Sequence, residues 1–442
     1  MIGAIEIALG FGLMLVLMFI GLHVATVMAA VAMIGAVLYL GKPAVFAFGT
    51  TLWGATEDYV LLSIPLYILL GEILVRGGAT DKMYRSLADW LNYLPGGLLH
   101  TNIGASALFS AVSGSSVATA ATISTIALPT FKTRKYDQRM VLGSIAAGAR
   151  LGNLIPPGIA FLVYGAMTST SAGQLYAAGV VPGLLMTVIF MLTIILISWW
   201  RPELTGAGAR EADSPMHEKL GRLKHLLAPL AVFTVVMVSM YTGWATVTES
   251  AALGVASTLV VAALYGKLSV AMLHDSFRAT MRLTAMSIFI LAMAFYLNFV
   301  LGLLGVTQTL AGLVKSLDVS PIQLLWVLAI MYLLLGVFFE TLPMLVGTVP
   351  IVFPIIVAAG IDPVFFGVFI VLMCEISLIS PPVGMTLYVI QGVRGEGTIN
   401  EVFQGTIPFF ISMIVMTGLL IHFPQMALWL PQMAFALSLI HI

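Results

Sequence analysis

Hydrophobic positions along the chain fall into two kinds of run. Continuous runs cover 4–22, 24–40, 60–76, 180–200, 226–242, 286–304 and 406–424, and a helix of about 17–25 apolar residues crosses a bilayer core. A shorter run, 252–265, crosses if its polar-flanked start is included. Four other regions are apolar but interrupted near their middle. Residues 98–131 are broken at Ser113-Gly114-Ser115-Ser116, and 138–168 between Gly152 and Pro157. Residues 321–360 are broken at Glu340-Thr341-Leu342-Pro343, and 363–390 between Ser377 and Pro382. Irregular backbone at membrane depth survives only where protein buries it or it lines a wet cavity. The pattern therefore predicts helical hairpins over 98–131 and 321–360, each entering and leaving on one side. It predicts spanning helices broken halfway over 138–168 and 363–390. Segments 79–93 and 269–284 mix charged and apolar residues. In the first, Met83, Leu87, Trp90 and Leu91 recur at helical spacing beside Lys82, Arg85 and Asp89, which predicts a helix lying in the interface plane.

The interruptions are paired. Gly41-Lys42 recurs as Gly266-Lys267, Pro129 as Pro354, and Pro156-Pro157 as Pro381-Pro382, all at an offset of 225 residues without insertion or deletion. An internal repeat carrying paired helix breaks in so apolar a chain points to a secondary transporter. The organisation expected is a first repeat over 1–200, a polar linker over 201–225, a second repeat over 226–425 and a tail over 426–442.

Composition narrows the class. Hydrophobic residues make up 60% of the 442 and charged residues 9%, against about 25% charged in a soluble domain. Zero net charge argues against nucleic acid as a partner. The single cysteine, Cys374, lies in an apolar run and reads as a small core residue. No Lys or Arg precedes the first apolar run, whereas a signal peptide carries a positive start, so 4–22 reads as a retained span. With 201–225 in the cytoplasm, the cytoplasmic segments are 76–97, 132–139, 201–225, 266–285 and 391–397. They hold every one of the 19 Lys and Arg except Lys42, Lys315 and Arg150, as the positive-inside rule asks. Residue 1 then lies outside, span 4–22 runs inward and its partner 226–242 runs outward, so the repeats are inverted. The fold class expected is an all-α polytopic membrane protein with two inverted repeats.

The candidate chemistry sits at the breaks. Ser113, Ser115 and Ser116 offer hydroxyls and free carbonyls at the first tip; they could ligate a cation such as sodium or make a tight turn. Pro156 and Pro157 lack N–H groups and free carbonyls about one turn upstream, around Gly148 to Gly152; Pro381 and Pro382 do the same around Glu375 to Ser377. Intramembrane carboxylates are functional candidates. Glu340, beside Thr341 at the second tip, could ligate a cation or cap exposed N–H groups. Glu375 reads as a partner for freed backbone donors. Arg150, the one intramembrane basic residue, could meet an anionic substrate or pair with Glu340 or Glu375, and pairing is the favoured reading. Arg150, Asn153 and Ser380 are the candidate substrate contacts. Thr246 and Glu249 fit a capping box. The histidines show no metal spacing, and no nucleotide-binding or nucleophile motif stands in a suitable context, so an enzyme is not expected and no organic cofactor is implied.

Several segments resemble the large membrane subunit of the TRAP (tripartite ATP-independent periplasmic) transporters, of the DctM and SiaM kind. They are PLYILLGEIL (65–74), LPGGLLHTNIGASALFSAVSGSSVATAATIS (94–124), ALPTFKTRKYD (127–137), LGNLIPPGI (151–159), TVTESAA (246–252) and EISLISPPVGMTLYVI (375–390). The resemblance covers essentially residues 1–430. It implies a bacterial inner-membrane carrier driven by a sodium gradient, with a scaffold, a moving transport region and an elevator motion. It also implies a periplasmic binding protein delivering an organic acid and a small four-span membrane subunit, here on a separate chain. By motif, the sodium sites would comprise Ser113, Ser115 and Ser116 with Gly148, Gly152 and Pro156, and Glu340 and Thr341 with Ser377 and Pro381. The sequence departs from the family pattern at Gly148-Ala149-Arg150-Leu151-Gly152, where a Gly-Gly-Thr-Leu-Gly-like run is common. It also departs at Glu340, where Asp is common, and at Ser377, where Gly is frequent. A stand-alone sodium–carboxylate symporter of the same architecture is the alternative.

Overall fold

The computed structural model describes residues 3–132, 134–206, 215–317, 319–337, 339–380 and 384–436. Among them every regular element is a helix, the state in which a chain satisfies its own backbone groups without water. Among the described residues eight helices are long and apolar enough to cross a membrane.

The order of elements repeats at the offset read from the sequence. Ala4–Phe19, Val24–Gly35 with its π-turn extension Ala36–Leu40, Lys42–Thr56, Ser63–Arg76 and Ala79–Leu91 lead to the first hairpin, Leu98–Ser113 and Ser116–Lys132. Gln138–Ala149, Leu151–Leu154 and Ile159–Thr168 form the broken helix, and Ala172–Trp200 follows. In the second half Met216–Tyr241, Val247–Leu264, Val270–Leu303 and Val306–Leu317 precede the hairpin Pro321–Leu335 and Thr341–Ala358. The broken helix Pro363–Ser377 and Met385–Arg394 then leads to Ile399–His422 and Gln425–Ala436.

Packing interleaves the halves. Val270–Leu303 lies against Val24–Gly35, Lys42–Thr56 and Ser63–Arg76, while Val247–Leu264 packs on Ser63–Arg76. The hairpins and broken helices group similarly: Ile399–His422 packs on Gln138–Ala149, and Ser116–Lys132 on Met385–Arg394. At the first of these crossings Gly143 and Gly405 bring two backbones together, and a Cβ on either would collide with the other's main chain. Small residues permit such approach where lipid supplies no hydrophobic drive between helices.

One expectation changes. Residues 269–284 are not a separate interfacial helix. They are the first half of the 34-residue helix Val270–Leu303, because no Pro and no Gly before Gly302 interrupts the backbone where the sequence turns from charged to apolar. The amphipathic counterpart of Ala79–Leu91 is Val306–Leu317 instead. The linker 201–225 is partly helical, since Met216–Tyr241 begins inside it; Arg222 is held there by Asp89 at 3.0 Å and Glu218 at 2.9 Å. Residues 207–214 of the linker lie outside the described residues. In the tail, Gln425–Ala436 packs on Ala172–Trp200 with Ala427 buried, and 437–442 lie outside the described residues. Helix Lys42–Thr56 was not foreseen, because its Gly and Thr residues dilute the apolar run. Cys374 is buried as a core residue, and Thr246 and Glu249 form the capping box.

Candidate functional site

The four helix breaks meet. Gly114 in the first tip packs on the first break, where its carbonyl accepts the Ile159 N–H at 3.4 Å. A Cβ on Gly152 would stand 2.5 Å from the Ser116 nitrogen and Cα. Gly336, at the second tip, is in the same relation to the second break: a Cβ there would overlap the Ser377 side chain. Each tip thus lies on the broken helix of its own half, as the repeat predicts. Ile155–Gly158 is the non-helical stretch of the first break. The second runs over 378–384, of which Pro381 and its neighbours 382 and 383 lie outside the described residues.

The two halves are joined at one carboxylate. Glu375 is fully buried and gathers donors from both. Ser116 Oγ donates to Oε2 at 2.7 Å, Asn153 Nδ2 to Oε1 at 2.7 Å and Thr341 Oγ1 to Oε1 at 3.4 Å. Arg150 Nη1 forms an ion pair with Oε2 at 3.3 Å. Asn153 Nδ2 also reaches Ser116 Oγ at 3.2 Å. The partners are side chains, three of them from the other half, which corrects the expectation that Glu375 binds freed backbone donors. A carboxylate offers about four lone-pair sites, and these partners occupy them.

The repeat gives this geometry its meaning. Residues 150 and 375 differ by 225, so the ion pair joins equivalent positions of the two halves. Ser116 and Thr341 are also equivalent, each opens the second helix of its hairpin, and both hydroxyls donate to Glu375. Contact between equivalent positions is the mark of a two-fold relation.

Arg150 is also fully buried and donates through Nη2 to Thr386 Oγ1. Its Nε and Nη1 have no hydrogen-bond partner among the described residues, so donor capacity remains beside the ion pair. In this conformation no solute reaches it. Asn153 is spent on Glu375 and Ser116, while Ser380 Oγ donates to the Ser377 carbonyl at 2.7 Å. The side chains of Asn153 and Ser380 are thus already hydrogen-bonded within the protein, and Arg150 is shielded from solvent. Thr386 was missed because a lone Thr beyond a double proline carries no spacing signal. Asn102 was missed too; it accepts from Tyr84 Oη at 2.6 Å and donates to Ser144 Oγ at 2.8 Å, inside the packing.

The remaining candidates sort by what their polar atoms already do. Ser115 Oγ accepts the Ala118 N–H at 3.4 Å and so caps the helix beginning at Ser116. Ser113 Oγ lies 3.2 Å from Thr119 Oγ1, which donates to the Ser115 carbonyl at 2.7 Å. Gly148 packs on Ser106 and the Asn102 carbonyl, and Pro156 is buried. The carbonyls expected to be free are partly taken: Leu151 O accepts the Ile155 N–H at 2.9 Å, and Ser377 O accepts from Ser380 N and Oγ. Glu340 differs. It occupies the N-cap position equivalent to Ser115 but makes no side-chain cap bond. Its carbonyl accepts the Met344 N–H at 3.0 Å, but its side chain has no hydrogen bond or ion pair among the described residues, which leaves its half-buried carboxylate uncommitted beside Thr341.

Comparisons with known proteins complete the description. The family model described as "Tripartite ATP-independent periplasmic transporter, DctM component" matches residues 11–426. The chain is 32% identical to the C4-dicarboxylate TRAP transporter large permease protein DctM of Pseudomonas aeruginosa, covering 89% of this chain and 91% of that one. It is 29% identical to the sialic acid TRAP transporter large permease protein SiaM of Vibrio cholerae, over 86% and 88% of the two chains. To the 2,3-diketo-L-gulonate TRAP transporter large permease protein YiaN of Escherichia coli it is 26% identical, over 93% and 98%. Among solved structures it resembles the Alcanivorax borkumensis YdaH transporter, with TM-score 0.63 at 16% identity over 87% and 89% of the chains. That likeness concerns the fold.

Proposed function

The chain belongs to the DctM-component family of the tripartite ATP-independent periplasmic transporters, and on that premise we propose that it imports a small organic anion by sodium symport. It is a multi-pass membrane permease and not an enzyme, as its relatives are named. The solute is an organic anion, a carboxylate by preference, in keeping with the dicarboxylate, sialic acid and diketogulonate named for the relatives. A periplasmic binding protein delivers it and a small four-span membrane subunit completes the complex; the words "tripartite" and "large permease" support that partnership. The chain sits in the bacterial inner membrane with its N-terminus periplasmic and its two repeats inverted.

The observation that carries the mechanism is the convergence of both tips on Glu375 while Glu340 stays uncommitted. Sodium binds at the second tip, where the Glu340 carboxylate, the Thr341 hydroxyl and tip carbonyls supply hard oxygen ligands. At the first tip Ser113, Ser115 and Ser116, with Gly148, Gly152 and Pro156, supply neutral oxygens. Bound cations order the tips, the anion joins them, and Arg150 is released from Glu375 far enough to meet it. The hairpins and broken helices then move as a unit against the other helices, an elevator motion. Each net positive charge moved inward through 100 mV yields about 2.3 kcal/mol, roughly a 45-fold concentration ratio.

The test is uptake into proteoliposomes holding the chain with its small subunit and loaded binding protein. Uptake should fall at least about tenfold when the inward sodium gradient is collapsed; unchanged uptake overturns the coupling. Glu340→Gln should raise the sodium concentration for half-maximal uptake by about tenfold or more, since the charge count of the oxygen ligands sets cation affinity. Ser116→Ala should raise it less, because it removes one neutral oxygen that already donates to Glu375 rather than a charge.

A further inference from the structure

The helices Ala79–Leu91, Met216–Tyr241 and Val247–Leu264 border an open groove of about 690 Å³. Its mouth is cationic and aromatic. Lys82 Nζ stands 4.2 Å above the Tyr265 ring, His225 Nδ1 lies 3.3 Å from Tyr265 Oη, and Lys224 lines the same opening. Lys82 and Lys224 have no carboxylate partner among the described residues. Asp89 and Glu218 are held by Arg222 and Glu72 by Arg76, and no Asp or Glu among the described residues lines the groove. Below the mouth the wall is apolar and faces outward. Leu227, Val235, Val260 and Leu264 are between 39% and 81% exposed, in the part of each helix whose sequence suits hydrocarbon. Charge at the interface level above an apolar shaft is the complement of one ligand class, a lipid with an anionic headgroup.

We propose that this groove binds an anionic phospholipid of the cytoplasmic leaflet, with its phosphate between Lys82, Lys224 and the Tyr265 hydroxyl and an acyl chain along Leu227, Val260 and Leu264. The leaflet rests on the topology proposed above; the binding itself does not. The lipid bridges the amphipathic helix to the two spans beneath it and fixes that helix at the membrane surface.

The experiment measures thermal unfolding of the full chain in neutral detergent with phosphatidylglycerol, phosphatidylcholine or inorganic phosphate added. Phosphatidylglycerol should raise the midpoint by at least about 3 °C, while phosphatidylcholine and free phosphate leave it unmoved. Lys82→Ala/Lys224→Ala should abolish the shift without changing the midpoint in phosphatidylcholine. Ala231→Trp, which fills the shaft and keeps both lysines, should abolish it too. Arg278→Ala/Arg282→Ala, which removes two exposed cations from outside the groove, should preserve it. An equal shift from free phosphate, loss of the shift in the Arg278/Arg282 variant, or its persistence in the lysine variant overturns the proposal. So does disappearance of the shift when the small membrane subunit is co-purified, which would assign the groove to that partner.

Discussion

Arg150→Met is expected to destabilise the protein by about 3–5 kcal/mol, the cost of leaving a buried charge without its partner. Glu375 would keep the bonds from Ser116, Asn153 and Thr341, but three neutral donors do not replace a guanidinium in a site with no exposure to solvent. The double variant Arg150→Met/Glu375→Gln should lose markedly less. It removes both charges together, and an amide still accepts from Asn153 and Thr341. Thermal unfolding of the parent, both single variants and the double variant closes the cycle. A coupling energy near zero would mean that the pair does not hold the two halves together. Uptake should be lost in Arg150→Met and in the double variant that regains stability, because the anion site proposed here needs the guanidinium. Active, stable double variants would remove Arg150 from the solute's path.

The second large effect comes from two glycines and separates backbone from side-chain contact. Gly152→Ala places a Cβ against the main chain of Ser115 and Ser116, which no rotamer change relieves. A loss of about 1–3 kcal/mol from overpacking and at least a tenfold loss of uptake are expected. At an unobstructed helix position the same change stabilises by up to about 1 kcal/mol, and Gly392→Ala, with nothing within 4 Å of its Cβ, is the control. Gly336→Ala should be as damaging, but there the obstruction is the Ser377 side chain. Ser377→Gly should therefore rescue Gly336→Ala, whereas Ser116→Gly should not rescue Gly152→Ala. Equal rescue at both tips would show that the tips do not seat as described.

What could be read before folding follows from what is local. Ser-Gly tips and double prolines act on the backbone within one turn, so each break was placed to within a few residues. The limit shows at 269–303. Charge and hydropathy change along that stretch, yet nothing in it stops a helix, so one continuous helix forms where two segments were expected. It shows again at Lys42–Thr56, where Gly and Thr residues dilute the apolar run and yet a helix forms and packs on Val270–Leu303.

The sequence by itself determined the membrane class, the 225-residue repeat, the two tips and the two broken helices, because composition and backbone chemistry are properties of short stretches. Only the tertiary structure decided how those parts are used. It made Glu375 the shared acceptor of both halves and seated Arg150 on its own repeat equivalent. It also let Ser115 cap its helix while Glu340, at the matching position, did not. The Glu375 and Arg150 outcomes depend on which side chains meet across 34 to 259 residues of chain, and separation of that kind leaves no trace in local pattern.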